Sequence, residues 1–313
     1  MNTEYSQSPF NEPHVYLCFY ESHDDSYNIT ARQNDHLQWL NKEEHERWAR
    51  FKHLDAQQQY LLGKVIVRQR LSERLNLPNH KIEFEIGPHG RPNLKGIPVD
   101  FNISHTKGLV AVTIGTQGRL GVDVERTARR GNPLDIADHY FHPSEVNAVN
   151  VDPQENQQLQ RFFEFWTLKE AYIKALGKGL QKSLQSFYFN LSSRCGKTNA
   201  PGAINLFDND VDNHHEFNAQ LFRFPITATP SVQNEGKSGM NSKMTTQAPT
   251  LATAPTASSF EESFYLSWMQ CAQPNESIPP QTPRFFNVCN DDTLKAMQYT
   301  PTAEAIQQRI QPM

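Results

Sequence analysis

The sequence predicts an α+β protein, and three observations carry that prediction. Apolar residues recur at helical spacing over residues 55–75 and again over 161–176. Short alternating or wholly apolar runs lie between these stretches and read as strands. The helix-and-strand order of residues 14–118 then recurs over residues 119–226, as pattern rather than identity. With 313 residues, 37% hydrophobic content and 19 Phe, the chain can bury a sizeable core as one large domain or two.

Residues 1–13 are polar and predict a disordered tail, after which 14–20 read as a buried first strand. Residues 36–51 have Leu37, Leu40, Trp48 and Phe51 at helical spacing, with Arg47 and Arg50 on the polar side. Asp55 is the expected N-cap of a second helix that runs to about Leu75 and is apolar around most of its middle, so it belongs at the centre of the first half. Residues 81–86 alternate as a strand with Ile82, Phe84 and Ile86 on one face, and Gly87-Pro-His-Gly-Arg-Pro92 breaks it, holding Arg91 on a loop. A short extended run, 99–106, ends with Ser104 and His105, and 109–114 follow as a buried strand. Adjacent residues on extended backbone face opposite ways, so this Ser and His do not form a nucleophile and base, and phosphate contact suits them better.

In residues 120–125, Asp123 and Glu125 point to one face of a strand and Val122 and Val124 to the other. Two carboxylates side by side repel unless a cation sits between them, and a hard divalent ion such as Mg²⁺ takes such oxygen ligands together with substrate phosphates. Short helical turns around Phe141-His-Pro-Ser-Glu145 fill residues 133–149. The core helix follows, burying Phe162, Phe165, Trp166, Ile173 and Leu176, with Gly177 and Gly179 ending it. On its neighbouring stripe Glu170 and Lys174 stand four apart, either as an ordinary exposed ion pair or as a third carboxylate for the metal and a cation for phosphate. Residues 186–191 and 217–224 read as strands of a second sheet.

From 227 to 259 Pro, Ser, Thr, Ala, Gln and Asn dominate, which predicts a disordered insertion. Residues 260–290 complete the second half, with strands at 264–268 and 285–288. The tail, 291–313, has Ala303, Ile306 and Ile310 at helical spacing and reads as a terminal helix. The net charge of −4 gives no basic field for nucleic acid. Four scattered cysteines, Cys18, Cys195, Cys271 and Cys289, read as free thiols in a reducing compartment. No signal-peptide pattern and no membrane-spanning run appears, so the expected location is the cytoplasm.

Three motifs therefore stand in fixed order: Gly90-Arg-Pro92 leading to Phe101-Asn-Ile-Ser-His105, then Gly121-Val-Asp-Val-Glu125, then Phe165-Trp-Thr-Leu-Lys-Glu-Ala-Tyr-Ile-Lys-Ala-Leu-Gly-Lys-Gly179. Together they resemble the 4′-phosphopantetheinyl transferases of the two-half, surfactin-synthetase-activating type, over residues 15–224 and a strand at 264–272. The resemblance implies two similar α/β halves related by a pseudo-twofold, with the active site in the cleft between them. It implies transfer of 4′-phosphopantetheine from coenzyme A to a serine of an apo acyl-, polyketide or peptidyl carrier protein by a monomer, with Mg²⁺ as cofactor. By matching positions, Asp123, Glu125 and Glu170 would hold the metal, Arg91, Ser104, His105 and Lys174 would touch coenzyme A, and Arg47 would lie near its 3′-phosphate. Glu170 and His105 would be the catalytic pair, Glu170 as base. Glu44 stands where the surfactin-type enzyme has a lysine near that 3′-phosphate, and Gln59 replaces an arginine. The rival from another class is a Mg²⁺-dependent nucleotide pyrophosphate hydrolase, in which water replaces the carrier serine.

Overall fold

The computed structural model describes residues 10, 12–20, 31–128, 132–191, 204–208, 216–225, 262–273, 277–279, 281, 283–287, 297–298 and 306–309. The expected insertion at 227–259 lies outside the described residues, as do Cys195 and Cys289, whereas Cys18 and Cys271 are buried free thiols.

The chain opens with β1 (His14–Phe19), then α1 (Ala31–Leu37), α2 (Lys42–Ala49) and α3 (Leu54–Leu75). A hairpin of β2 (Phe84–Ile86) and β3 (Pro92–Leu94) leads to β4 (Asp100–Thr106), β5 (Leu109–Gly115) and β6 (Arg119–Arg126). Three helices follow, α4 (Leu134–Tyr140), α5 (Pro143–Asn150) and α6 (Glu155–Leu176). The remaining strands are β7 (Phe187–Leu191), β8 (Ile204–Asp208), β9 (Phe217–Pro225), β10 (Ser263–Cys271), β11 (Arg284–Asn287), β12 (Met297–Gln298) and β13 (Ile306–Arg309).

Two principal sheets result, one ordered β12-β11-β1-β5-β4 and the other β13-β9-β10-β6. Leu62, Ile66, Val67 and Leu71 of α3 pack on the first, with Tyr16, Val110 and Val112. Phe163, Ala171 and Ala175 of α6 pack on the second, with Tyr265 and Met269. The sheets' other faces meet through Val15, Leu17, Ala111, Val122, Val124, Leu266 and Trp268, and Trp268 Nε1 donates across to Thr113 Oγ1 at 3.1 Å. The layers thus run helix, sheet, sheet, helix, and the strict alternation in β6 follows from facing apolar core on one side and α6 on the other.

Several local expectations are corrected. Phe10 is fully buried and sets its ring edge-on to His14, so apolar burial begins inside the segment read as a disordered tail. The single helix expected over 36–51 is two, because Asn41 accepts from the Glu44 amide and Glu44 caps Asn41 in return, starting a fresh helix at Lys42. Asp55 lies inside the first turn of α3, where its charge complements the helix dipole, and His53 holds the N-cap position. Ile86 is 68% exposed, since β2 is only three residues long and ends beyond the core. The strands expected at 186–191 and 217–224 fall in different sheets, because β7 pairs with β8 while β9 pairs with β10. In the tail, where a helix was expected, 297–298 and 306–309 pair as strands against β11 and β9, whose open edges offer backbone partners. No described helix is long and apolar enough to cross a membrane.

Candidate active site

The site lies where β4, the edge of the first sheet, runs beside β6, the edge of the second. An edge strand has outward N–H groups that need acceptors, and β4 supplies them from side chains. Asp100 Oδ2 accepts from Leu120 N at 2.7 Å, Asn102 Oδ1 from Val122 N at 3.1 Å, and Ser104 Oγ from Val124 N at 3.2 Å. The period of two on both strands makes the match, so the sheets are stitched by side chains instead of a backbone ladder.

Arg91 reinforces this seam. Its Nη2 donates to Asp100 Oδ2 at 2.6 Å, to Leu120 O at 2.8 Å and to Phe101 O at 3.1 Å, while Nη1 donates to the Lys174 carbonyl. One guanidinium thereby joins β4, β6 and the C-terminal turn of α6, and these are the bonds it makes where the resemblance implies contact with coenzyme A. Gly177, at φ 68°, caps α6 in the left-handed region, and a Cβ there would lie 3.2 Å from Arg91 Cδ.

Gly121 sets how closely α6 approaches β6. A Cβ at this position would lie 1.9 Å from the Ala171 carbonyl oxygen and 2.8 Å from Ala175 N, so only glycine permits the packing. The close approach brings the stripe Trp166, Glu170, Lys174, spaced four apart on α6, against Asp123 and Glu125 on β6. Lys174 Nζ donates to Asp123 Oδ1 at 2.6 Å, to Ser104 Oγ at 3.0 Å and to Val122 O at 3.3 Å. Ser104 Oγ also bonds Asp123 Oδ1 at 2.9 Å. The ion pair of Lys174 is thus with Asp123 on the facing strand β6, a correction to the expected stacking of Lys174 on Glu170 along the helix.

At the other end of the stripe Trp166 Nε1 donates to Glu125 Oε1 at 3.2 Å. Trp166 was expected in the apolar stripe; it is half-buried, with its ring on Phe162 and its nitrogen on the charged face. Glu170 lies between, half-buried. Burial pushes its carboxyl above the ordinary range, the charge of Asp123 adds to the rise, and Lys174 opposes it. His105 faces away from Ser104 and is exposed on β4. The surrounding protein lowers its pKa, and the Lys174 ammonium adds to the lowering.

Arg47 is elsewhere. It is exposed on α2 over the Tyr60 ring, 5.5 Å from the centroid, and lines an open depression of about 610 Å³ with Glu43, Glu46, Arg50 and Phe51. Glu44 turns inward from the same helix to Arg68 at 2.7 Å and Lys64 at 3.1 Å. Burial would raise its carboxyl, but Lys64 and Arg68 outweigh that and the net shift is downward. Gln59 Nε2 donates to the Tyr20 hydroxyl at 2.7 Å. Both departures from the surfactin-type pattern therefore have partners within the protein.

Sequence reasoning missed Asp100, Asn102 and the indole of Trp166. The alternation of polar residues at 100, 102 and 104 was a visible signal for the first two; nothing in the spacing marked the third.

As the residues stand, no three carboxylate, imidazole or thiol groups among the described residues close into a metal cage. Asp123 Oδ2 is nonetheless buried without a hydrogen-bond partner, beside a carboxylate on α6 and another two residues along β6. That donor set suits a hard cation that completes its shell with substrate oxygens, because Mg²⁺ commonly takes only one or two protein carboxylates.

A family model described as 4′-phosphopantetheinyl transferase superfamily matches residues 119–228, and one described as 4′-phosphopantetheinyl transferase, N-terminal, matches residues 18–117. The chain is 34% identical over 151 residues to the 4′-phosphopantetheinyl transferase gsp of Aneurinibacillus migulanus, covering 48% of this chain and 62% of that one. It is 31% identical over 165 residues to the 4′-phosphopantetheinyl transferase Sfp of Bacillus subtilis (strain 168), covering 52% and 72%. It is 28% identical over 164 residues to the L-aminoadipate-semialdehyde dehydrogenase-phosphopantetheinyl transferase of Mus musculus, covering 49% and 53%. The match thus spans somewhat over half of the mouse relative, about three fifths of gsp and nearly three quarters of Sfp.

Proposed function

The chain belongs to the 4′-phosphopantetheinyl transferases, and from that premise we propose that it transfers 4′-phosphopantetheine from coenzyme A to a serine of an apo carrier protein, releasing 3′,5′-ADP. The observation that carries this reading is the Lys174, Ser104 and Asp123 cluster on the seam, where an ammonium and a hydroxyl stand beside a buried carboxylate oxygen that has no partner.

In this reading the two halves are related by a pseudo-twofold and the substrate lies along the seam between them. The serine oxygen forms a bond to the pantetheine-side phosphorus, the bond from that phosphorus to the bridging oxygen breaks, and the electron pair leaves with 3′,5′-ADP. Glu170 accepts the serine proton, directly or through one water. Lys174 and Ser104, turning from Asp123, donate to the pyrophosphate oxygens as charge develops on them, and His105, on the opposite side of β4, contacts another part of coenzyme A. Arg91 holds β4, β6 and α6 in register, which keeps Lys174 and Ser104 together on the seam. Arg47, beside its depression on α2, takes the 3′-phosphate. Asp123, Glu125 and Glu170 would hold Mg²⁺, which when bound supplies positive charge against the pyrophosphate. The protein works as a cytoplasmic monomer, on carriers of the acyl, polyketide or peptidyl type.

The test is intact-mass analysis of a panel of apo carriers after incubation with coenzyme A, Mg²⁺ and this protein. A 4′-phosphopantetheine increment on a carrier is the expected result. Coenzyme A consumed while every carrier stays unmodified would overturn the reading. The similarities above are to transferases, which leaves the hydrolase alternative without support.

A further inference from the structure

Each of the two carboxylates on β6 has one oxygen bonded to a donor on α6. Asp123 Oδ1 is held by Lys174 at 2.6 Å, and Glu125 Oε1 by the indole N–H of Trp166 at 3.2 Å. The donors stand eight residues apart on the helix and their acceptors two apart on the strand, with Glu170 midway between the donors. Lys174 is a flexible ammonium that also reaches Ser104. Trp166 is the opposite kind of donor, because its ring cannot turn without breaking aromatic contacts. It stacks on Phe162 with centroids 5.7 Å apart and planes at 18°, meets Tyr140 edge-on at 6.3 Å, and touches Phe141 at 6.3 Å. Phe141 is itself buried and stacked on Phe162 at 5.2 Å.

We propose that Trp166 is a positioning residue of the transferase, whose aromatic-clamped indole N–H fixes the Glu125 carboxylate in the orientation that binds the divalent cation. The inference rests on the reading of Asp123, Glu125 and Glu170 as metal ligands. A half-buried carboxylate near a strand end still samples several rotamers, and each must be given up when the metal binds. An N–H donor on one oxygen removes that freedom beforehand. Aromatic character alone serves the core, so Phe at position 166 would satisfy packing but would lack the N–H that Trp166 gives to Glu125.

The test is Mn²⁺ binding, followed by electron paramagnetic resonance or calorimetry in the presence of coenzyme A, for wild type, Trp166→Phe, Glu125→Gln and the double variant. Trp166→Phe should weaken Mn²⁺ binding on the order of 10-fold, the lower end for loss of such an outer contact. In the Glu125→Gln background the same change should add almost nothing, because the effect passes through Glu125. Transfer by Trp166→Phe should recover at high metal, leaving kcat near wild type. Mn²⁺ affinity unchanged in Trp166→Phe, or an equal loss in both backgrounds, overturns the proposal while leaving the metal assignment intact. A wild type that binds no Mn²⁺ with coenzyme A overturns both. Should Trp166→Phe fail to fold, the wild-type chain with ¹⁵N-labelled tryptophan still decides. One of the four indole N–H signals should move on Glu125→Gln, and four unmoved signals would sink the idea.

Discussion

Replacing Gly121 by alanine should dismantle the site from a position that touches no substrate. The added Cβ would lie 1.9 Å from the Ala171 oxygen, where ordinary contact begins at 3.4 Å, so α6 must retreat by about 1.5 Å. Both nearest atoms are backbone, Ala171 O and Ala175 N, and no rotamer change can relieve the clash. If the helix moves as a body, the 2.6 Å contact from Lys174 to Asp123 opens to about 4 Å, beyond hydrogen-bond reach. The stability cost should be about 3 kcal/mol, at the upper end for overpacking because helix and strand are both fixed by their own ladders. Urea denaturation at neutral pH measures this as a lower midpoint with an unchanged slope, and Mn²⁺ binding on the fraction still folded reports the opened site. A midpoint within 0.5 kcal/mol-equivalent of wild type, on the order of a neutral surface change, together with normal metal affinity, would refute the argument that α6 is seated through this glycine.

Glu170→Gln should lower kcat by on the order of 10² or more at saturating coenzyme A, across a full Mg²⁺ titration, with little change in melting temperature because burial already disfavours its charge. Lys169 and Glu145 form an ion pair at 2.7 Å with both side chains fully buried, so Lys169→Met should cost roughly 3 to 5 kcal/mol in urea denaturation by leaving a carboxylate without its counter-charge. His14 is buried and its pKa is lowered to about 4, first by burial and then by Arg74 and Arg284, with Glu12 opposing. The unfolded chain therefore binds more protons than the folded one between about pH 4 and 6.5. Stability from this group is complete above 6.5 and is lost as pH falls toward 4, by about 2 to 3 kcal/mol. His14→Phe should remove that part of the slope between urea midpoints at pH 4.5 and 7, and an identical slope in both proteins would show that His14 does not carry it.

What the sequence determined by itself were the features set by spacing along one chain. The alternation over 120–125 put Asp123 and Glu125 on one face of β6, the three-and-four spacing built α6, and Gly177 ended it, because backbone geometry alone decides which way successive side chains point. The family came instead from the resemblance of the three ordered motifs to those of known transferases. Tertiary structure decided who meets whom. Lys174 stands four residues from Glu170, yet its ammonium goes to Asp123, since the approach allowed by Gly121 offers a buried carboxylate at 2.6 Å. Trp166 satisfies the apolar period of its helix and still aims its nitrogen at Glu125, because one large ring can serve two faces at once. The acceptor roles of Asp100 and Asn102 required knowing that β6 is an edge strand, and the strands in the tail required knowing that β9 and β11 leave edges open. Edges are properties of a finished sheet, and no local pattern in a strand records whether a neighbour will arrive.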